Sequence, residues 1–267
     1  FKAGSCKKAS NNDNIVNIIG NGVVIDPFVF LKEYNTLLSK GFDVINKILI
    51  SRKANIILPT HRLIDAAMEK YKGKSKIGST LKGIGPAYTD KIARNGIRIG
   101  DIESEKFIEN YNIIKEQHYK IVKMYGLNDS DYIIEGISIK EFEEKWFEGI
   151  QLINKFKKID GEIFINEQIN NNKRVLAEGA QGSMLDIDYG SYPFVTSSNT
   201  ISAGALTGLG VSYNKIGKVL GIFKAYCTRV GSGPFITELF DDDCENMQGI
   251  GQEFGATTGR PRRCGWL

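Results

Sequence analysis

What most limits the folds open to this chain is the alternation, near its start, of short apolar runs with a helix. Residues 15–19 read as a buried strand, Asn21-Gly22 is a turn signal, and residues 23–25 form a second short apolar run. Asp26-Pro27 then offers an N-cap and a first-turn proline. A helix follows over 28–39, with Phe28, Leu31 and Leu38 apolar and Gly41 closing it. Residues 47–51 and 54–58 are two further apolar runs of strand length. Strand, helix and strand at this spacing make a crossover unit, so the chain is expected to be α/β, with a mainly parallel central sheet flanked by helices. A chain of 267 residues, 42% hydrophobic, can bury one sizeable core, and a single domain over 1–267 is expected.

Later periodicity adds helices. Residues 61–71, 89–95, 104–125 and 139–158 carry helical patterns. Phe107, Tyr111, Ile114, His118 and Ile121 form one apolar face, and Phe142, Trp146, Ile150 and Ile153 another. These predict a helical insert at about 103–170. His118 is expected on a helix surface or half-buried, and His61 in a structural role. Residues 201–211, rich in Gly and Ala, predict a closely packed helix or loop. Residues 218–226 predict a strong strand, 235–240 a short one, and Asp241-Asp242-Asp243 a solvated turn.

Composition excludes several function classes. A net charge of +4 suits small anions but is too weak to argue for nucleic acid. Four cysteines without a C-x-x-C pair, and only two histidines, argue against structural zinc and fit a reduced, cytoplasmic thiol set. No apolar run approaches the roughly 20 residues that span a bilayer, and the first residues do not resemble a signal peptide.

Three segments have the wrong composition for a core and the right one for a ligand. In 178–200, glycines flank Ala180-Gln181 and the stretch ends in five polar residues, Thr196 to Thr200. Neutral amides and hydroxyls there can read a planar heterocycle, and open α/β sheets bind ligands where strands end. An ordinary polar loop is the alternative. In 76–88, Thr80, Lys82 and the amides near Gly83 and Gly85 offer an anion site, although the Walker A spacing is absent. In 256–263, three arginines stand beside two threonines and a glycine, a composition suited to carboxylates or phosphates. A solvated basic surface is the alternative.

The strings Glu178-Gly179-Ala180-Gln181-Gly182, Leu185-Asp186-Ile187-Asp188 and Tyr192-Pro193-Phe194-Val195-Thr196-Ser197-Ser198-Asn199-Thr200 resemble the adenylosuccinate synthetase family. So do Ile77-Gly78-Ser79-Thr80-Leu81-Lys82-Gly83-Ile84-Gly85-Pro86-Ala87-Tyr88, Lys224-Ala225-Tyr226-Cys227-Thr228-Arg229-Val230-Gly231 and Gly255-Ala256-Thr257-Thr258-Gly259-Arg260-Pro261-Arg262-Arg263. The resemblance implies ligation of IMP and L-aspartate to adenylosuccinate with GTP as co-substrate, through 6-phosphoryl-IMP. It implies IMP binding by Thr80, Arg94, Gln181, Thr196 and Arg260, with Gln181 also catalytic. It implies aspartate binding by Ala256, Thr257, Thr258, Gly259, Arg260, Pro261 and Arg262, and a GTP contact from Arg262. Arg94 is expected to reach the neighbouring subunit's site in a homodimer. Mg2+ is expected, with its ligands in an N-terminal segment that this chain lacks. A catalytic aspartate and histidine are expected there too, and a guanine-reading segment beyond the other end. Two rivals stand beside this expectation: another nucleotide-dependent ligase, and a nucleotide-binding fragment without activity of its own.

Overall fold

The computed structural model describes residues 15–73, 77–127, 132–255 and 259–267. The front of the chain runs β1 (Asn17–Ile19), β2 (Val24–Ile25), α1 (Pro27–Ser39), β3 (Ile48–Ser51), β4 (Asn55–Ile56), α2 (Pro59–Lys72) and α3 (Ile84–Ala93). It continues with α4 (Phe107–Met124), the hairpin β5 (Ile133–Ile134) and β6 (Ile137–Ser138), α5 (Ile139–Asn154), β7 (Lys157–Ile159) and α6 (Gly161–Asn170). The last part holds α7 (Ala203–Leu209), β8 (Cys227–Arg229), α8 (Asp242–Ile250) and β9 (Arg263–Gly265).

The parallel sheet is present. Its order is β1-β3-β7, with Asn17 opposite Ile48 and Leu49 opposite Lys157, and β2 pairs in parallel with β4. The helix α1 begins as its sequence requires: the Asp26 carboxylate accepts from the Phe28 and Val29 amides, and Pro27 occupies the first turn. The N-terminal end of α1 lies against the later half of α5. A Cβ on Gly149 would fall 2.2 Å from the Pro27 carbonyl oxygen, so only glycine admits this approach. Around that contact Phe28 meets Phe142 at 4.4 Å between ring centroids, and Trp146, fully buried, donates to the Ile57 carbonyl at 2.7 Å. Within the stretch expected as a helical insert, β7 forms an edge of the central sheet, while α4 and α5 cover α2 and α1.

Several local expectations change. Residues 235–240 form no strand and hold only the isolated bridge of Glu238 to Gly265, and His118, expected at a helix surface or half-buried, is buried. On α4 the buried face runs Phe107, Tyr111, His118 and Val122, in steps of four, seven and four residues, and Ile121 lies outside it at 37% exposure. Asp241 begins a helix: its carboxylate accepts from the Cys244 amide and caps α8. Residues 218–226 are not a strand. Leu220, Ile222 and Phe223 are exposed, and no strand among the described residues pairs with them, so the apolar run has no ladder to join.

Candidate active site

Four loops converge through named contacts. The first is 77–83. The Glu69 carboxylate on the last turn of α2 accepts from the Ile77, Gly78 and Ser79 amides at 3.2, 2.9 and 3.0 Å. Asp65, one turn earlier and pushed above the usual carboxylate range by burial, accepts the Gly83 amide at 3.0 Å. Gly83 has φ +72°, and a Cβ there would stand 2.9 Å from the α2 backbone, so both conformation and space demand glycine. Lys82 is tied to Glu135 in the β5–β6 turn. Burial pushes Glu135 up, but Lys82, Lys32 and the buried Arg62 bring it down to about 2.

The second loop, 186–201, folds around Asp186. Its fully enclosed carboxylate accepts from the amides of Asp188, Tyr189, Thr200 and Ile201 at 2.9, 3.1, 2.6 and 3.2 Å. Enclosure alone pushes its carboxyl up, yet those four amides hold it at about 2. Thr196, half-buried, is fixed by its amide bond to the Leu185 carbonyl at 2.9 Å. The third loop follows β8. Arg229 donates to the Ser191 hydroxyl at 3.1 Å and to the Phe194 carbonyl at 2.9 Å, binding the second loop to the third. The first turn of α3, directly after the first loop, also approaches the second: a Cβ on Gly85 would lie 3.4 Å from the Ser197 hydroxyl.

The fourth loop divides its arginines. Arg260 donates to the Gly78 and Ser79 carbonyls, each at 3.1 Å, so the two segments expected to bind IMP and aspartate touch directly. Arg262 donates to Glu253 at 3.0 Å, and Lys224 and Tyr226 crowd the same carboxylate, each at 2.7 Å. Arg263 is occupied by Glu238 and the Gly231 and Gly233 carbonyls, a structural task. Gly259 has φ +65°, and Pro261 pairs with Phe254 in an isolated bridge. Ala256, Thr257 and Thr258 lie outside the described residues.

Gln181 sits exposed at φ +62°, in a turn tied to the second loop by the Thr200 hydroxyl on the Gly182 carbonyl at 2.8 Å. A left-handed, non-glycine residue is a departure that active sites often hold. Its amide has no partner among the described residues. Thr80 is exposed beside the Arg260 contacts. Arg94 caps the C-terminus of α3 at φ +65°, exposed and, among the described residues, not joined to the four loops by a hydrogen bond.

Sequence reasoning missed the acids beneath these loops, and it missed the anchor of α3. His61 and His118 are both buried and both bond one oxygen of Asp90, at 2.9 and 2.8 Å. Asp90 is thereby held far below the usual carboxylate range, against the upward push of burial. His61, His118 and Asp90 are the one group of three such donors close enough for a metal among the described residues. Chemistry argues against an ion there. The His61 Nδ1 accepts the Leu58 amide at 2.9 Å, so its proton lies on Nε2, the atom facing Asp90. A protonated nitrogen cannot ligate, and Mg2+ prefers oxygen donors in any case.

Residues 7–267 match the sequence model of the family described as adenylosuccinate synthetase. The adenylosuccinate synthetase of Christiangramia forsetii is 54% identical over 256 residues, covering 96% of this chain and 59% of that protein. That of Flavobacterium johnsoniae is 56% identical over 252 residues, covering 94% and 58%. The chain thus spans less than two thirds of the relatives it matches. The solved structure of a fully ligated adenylosuccinate synthetase from Plasmodium falciparum aligns with a TM-score of 0.80 at 38% identity, over 97% of this chain and 58% of that one. A cyanophage S-2L succinoaminodeoxyadenylate synthetase, 22% identical over 94% of this chain and 59% of its own, shares the fold with a TM-score of 0.57.

Proposed function

The chain belongs to the adenylosuccinate synthetase family, and from that premise we propose that it supplies the IMP- and aspartate-binding part of a GTP-dependent ligase making adenylosuccinate. The observation that carries this is the Arg260 bridge, which draws the 77–83 loop and the arginine loop into one site.

The chemistry has two steps. The γ-phosphoryl group of GTP passes to the 6-oxygen of IMP, its bond to GDP breaking, as a base takes the N1 proton, giving 6-phosphoryl-IMP. The amino nitrogen of aspartate then bonds to carbon 6 and gives up a proton, the C–O bond breaks, and phosphate departs. Positioning and charge stabilisation dominate such a transfer. Gln181 donates its side-chain amide to the 6-oxygen as charge builds there. Thr80 and Thr196 hold the 5′-phosphate, joined by Arg94 from the second subunit of a cytoplasmic homodimer. Arg260 reaches both the ribose and the aspartate, and Arg262 exchanges Glu253 for aspartate and GTP. The threonines of 256–258, Gly259 and Pro261 shape the aspartate pocket. Mg2+ accompanies GTP.

The test is turnover at the full length of the relatives, followed by the ultraviolet absorbance of adenylosuccinate. Product is expected only with IMP, aspartate and GTP together. Equal turnover with ATP for GTP, or without aspartate, would point to the other nucleotide-dependent ligase. Equal assays on these 267 residues alone decide whether the piece turns over by itself.

A further inference from the structure

We propose that Glu69 is a positioning residue for substrate binding: its carboxylate fills an anion nest of three successive amides and thereby aims the 77–80 loop at Arg260. The inference rests on the function proposed above, since it assigns Thr80 and Arg260 to IMP and aspartate.

Three consecutive N–H groups converging on one point form a concavity built for an anion, and such concavities commonly take phosphate. Here both oxygens of Glu69 occupy it, one on the Ile77 amide and the other on Gly78 and Ser79. The consequence lies in the peptide between Gly78 and Ser79. In a trans peptide the N–H and C=O point in opposite directions. Holding the Ser79 N–H on Glu69 therefore turns the Gly78 carbonyl the other way, where Arg260 Nη1 meets it at 3.1 Å. The next carbonyl, Ser79, takes Nη2. One peptide plane thus stands between a carboxylate and a guanidinium, its dipole aligned with both. Gly78 at φ +85° has the backbone freedom this turn requires, and a Cβ there would touch Gly231 at 3.5 Å. Thr80 follows directly, so its hydroxyl depends on the same anchored peptides. Buffering a nest with an internal acid keeps the loop formed before substrate arrives.

The experiment uses the full-length protein carrying Glu69→Ala or Glu69→Gln. The KM values for IMP and aspartate are expected to rise about tenfold or more in the alanine variant, with kcat within about threefold. A merely structural lesion would lower the active fraction, and so the apparent kcat, while leaving both KM values in place. Formate, a small carboxylate, should restore the alanine variant saturably and leave the parent enzyme unchanged. The glutamine variant, isosteric but with one acceptor oxygen, should fall between the two, and it carries the test if the alanine variant does not fold. Both KM values within about twofold of the parent in both variants would overturn the proposal. Should the parent enzyme show no turnover with these substrates, the functional assignment falls by itself. Amide hydrogen exchange across 77–80 then decides the nest: faster exchange in the variant, slowed by formate, supports it, and unchanged exchange overturns it.

Discussion

Asp90→Ala tests whether the buried histidine pair is what holds α3 in place. One oxygen of Asp90 accepts two imidazole N–H groups, from His61 at 2.9 Å and His118 at 2.8 Å. The rings are 1% and 3% exposed, so their stranded donors would find little water. Each unsatisfied buried donor costs about 1–3 kcal/mol. The Asp90 side chain is itself 17% exposed, which admits some solvent, so the lower half of that range applies. The expected loss is about 2–4 kcal/mol in urea unfolding near neutral pH, and about half that for Asp90→Asn, whose carbonyl keeps an uncharged acceptor. The pH dependence has a definite sign. Burial lowers His61 below its ordinary 6.5, so the unfolded chain takes up that proton first. Its contribution is complete above that value and declines as pH falls below it. Asp90, held low, contributes fully above the ordinary carboxylate value and loses that contribution only at lower pH. The alanine variant should keep the histidine limb and lose the carboxylate limb. A loss under about 1 kcal/mol, within the spread of ordinary substitutions, would refute the assignment of Asp90 as the anchor.

Three shorter expectations concern turnover in the full-length enzyme. Gln181→Ala should lower kcat by about 10²–10³ while IMP binding changes less, and steady-state kinetics with an IMP titration will tell; an unchanged kcat removes Gln181 from the mechanism. Arg94→Leu and Thr80→Ala, each weak alone, should regain activity when mixed, because one site of the heterodimer then carries neither defect; no recovery despite demonstrated subunit exchange places each site within one chain. Arg260→Leu should raise the KM for aspartate and impair IMP use, with lysine rescuing only in part because it cannot fork across the Gly78 and Ser79 carbonyls; a normal aspartate KM would make this loop a solvated surface.

What was legible in the sequence had a local cause. Asp26-Pro27 states a helix start in two residues, and the cap bonds are made by that same aspartate. The spacing of Phe142, Trp146, Ile150 and Ile153 states a buried face, and all four are buried. What was hidden depends on distant partners. The run 218–226 has strand composition, but a strand needs a neighbour, and composition does not say whether one pairs. Asp241 looked like part of a solvated turn because a run of acids gives no apolar period, yet a cap needs only one carboxylate above a free amide. Glu69 and Asp90 lie in unremarkable local sequence, and each matters for amides or imidazoles well removed from it in the chain; Asp186 stood inside a quoted string, but its hold on the Thr200 and Ile201 amides could not be read there. The glycines and arginines of the site were visible because their chemistry is rare per residue; the acids that place them were not.

Those acids have a common physical reason. The proposed ligands carry phosphates and carboxylates, so the loops that meet them must present amides and guanidinium groups together. Left alone, such groups repel one another, and their loops would have no reason to hold a shape before ligand arrives. Here each is paired from behind: Glu69 under the 77–79 amides, Asp186 under the 188–201 amides, Glu253 beside Arg262 and Lys224, Glu238 beside Arg263. The donors they occupy differ in fate. Glu69 and Asp186 take backbone amides, and a ligand gains by leaving those in place, because the loop's outward face depends on them. Glu253 takes the guanidinium of Arg262, which itself is expected to meet substrate, so binding there must trade one carboxylate for another. Exchange of like for like changes little in free energy by itself, since a charge-assisted bond is lost for each one formed. The Arg262 contact should therefore select the carboxylate that arrives with the most additional contacts, which gives this position its weight in specificity and leaves affinity to Arg260.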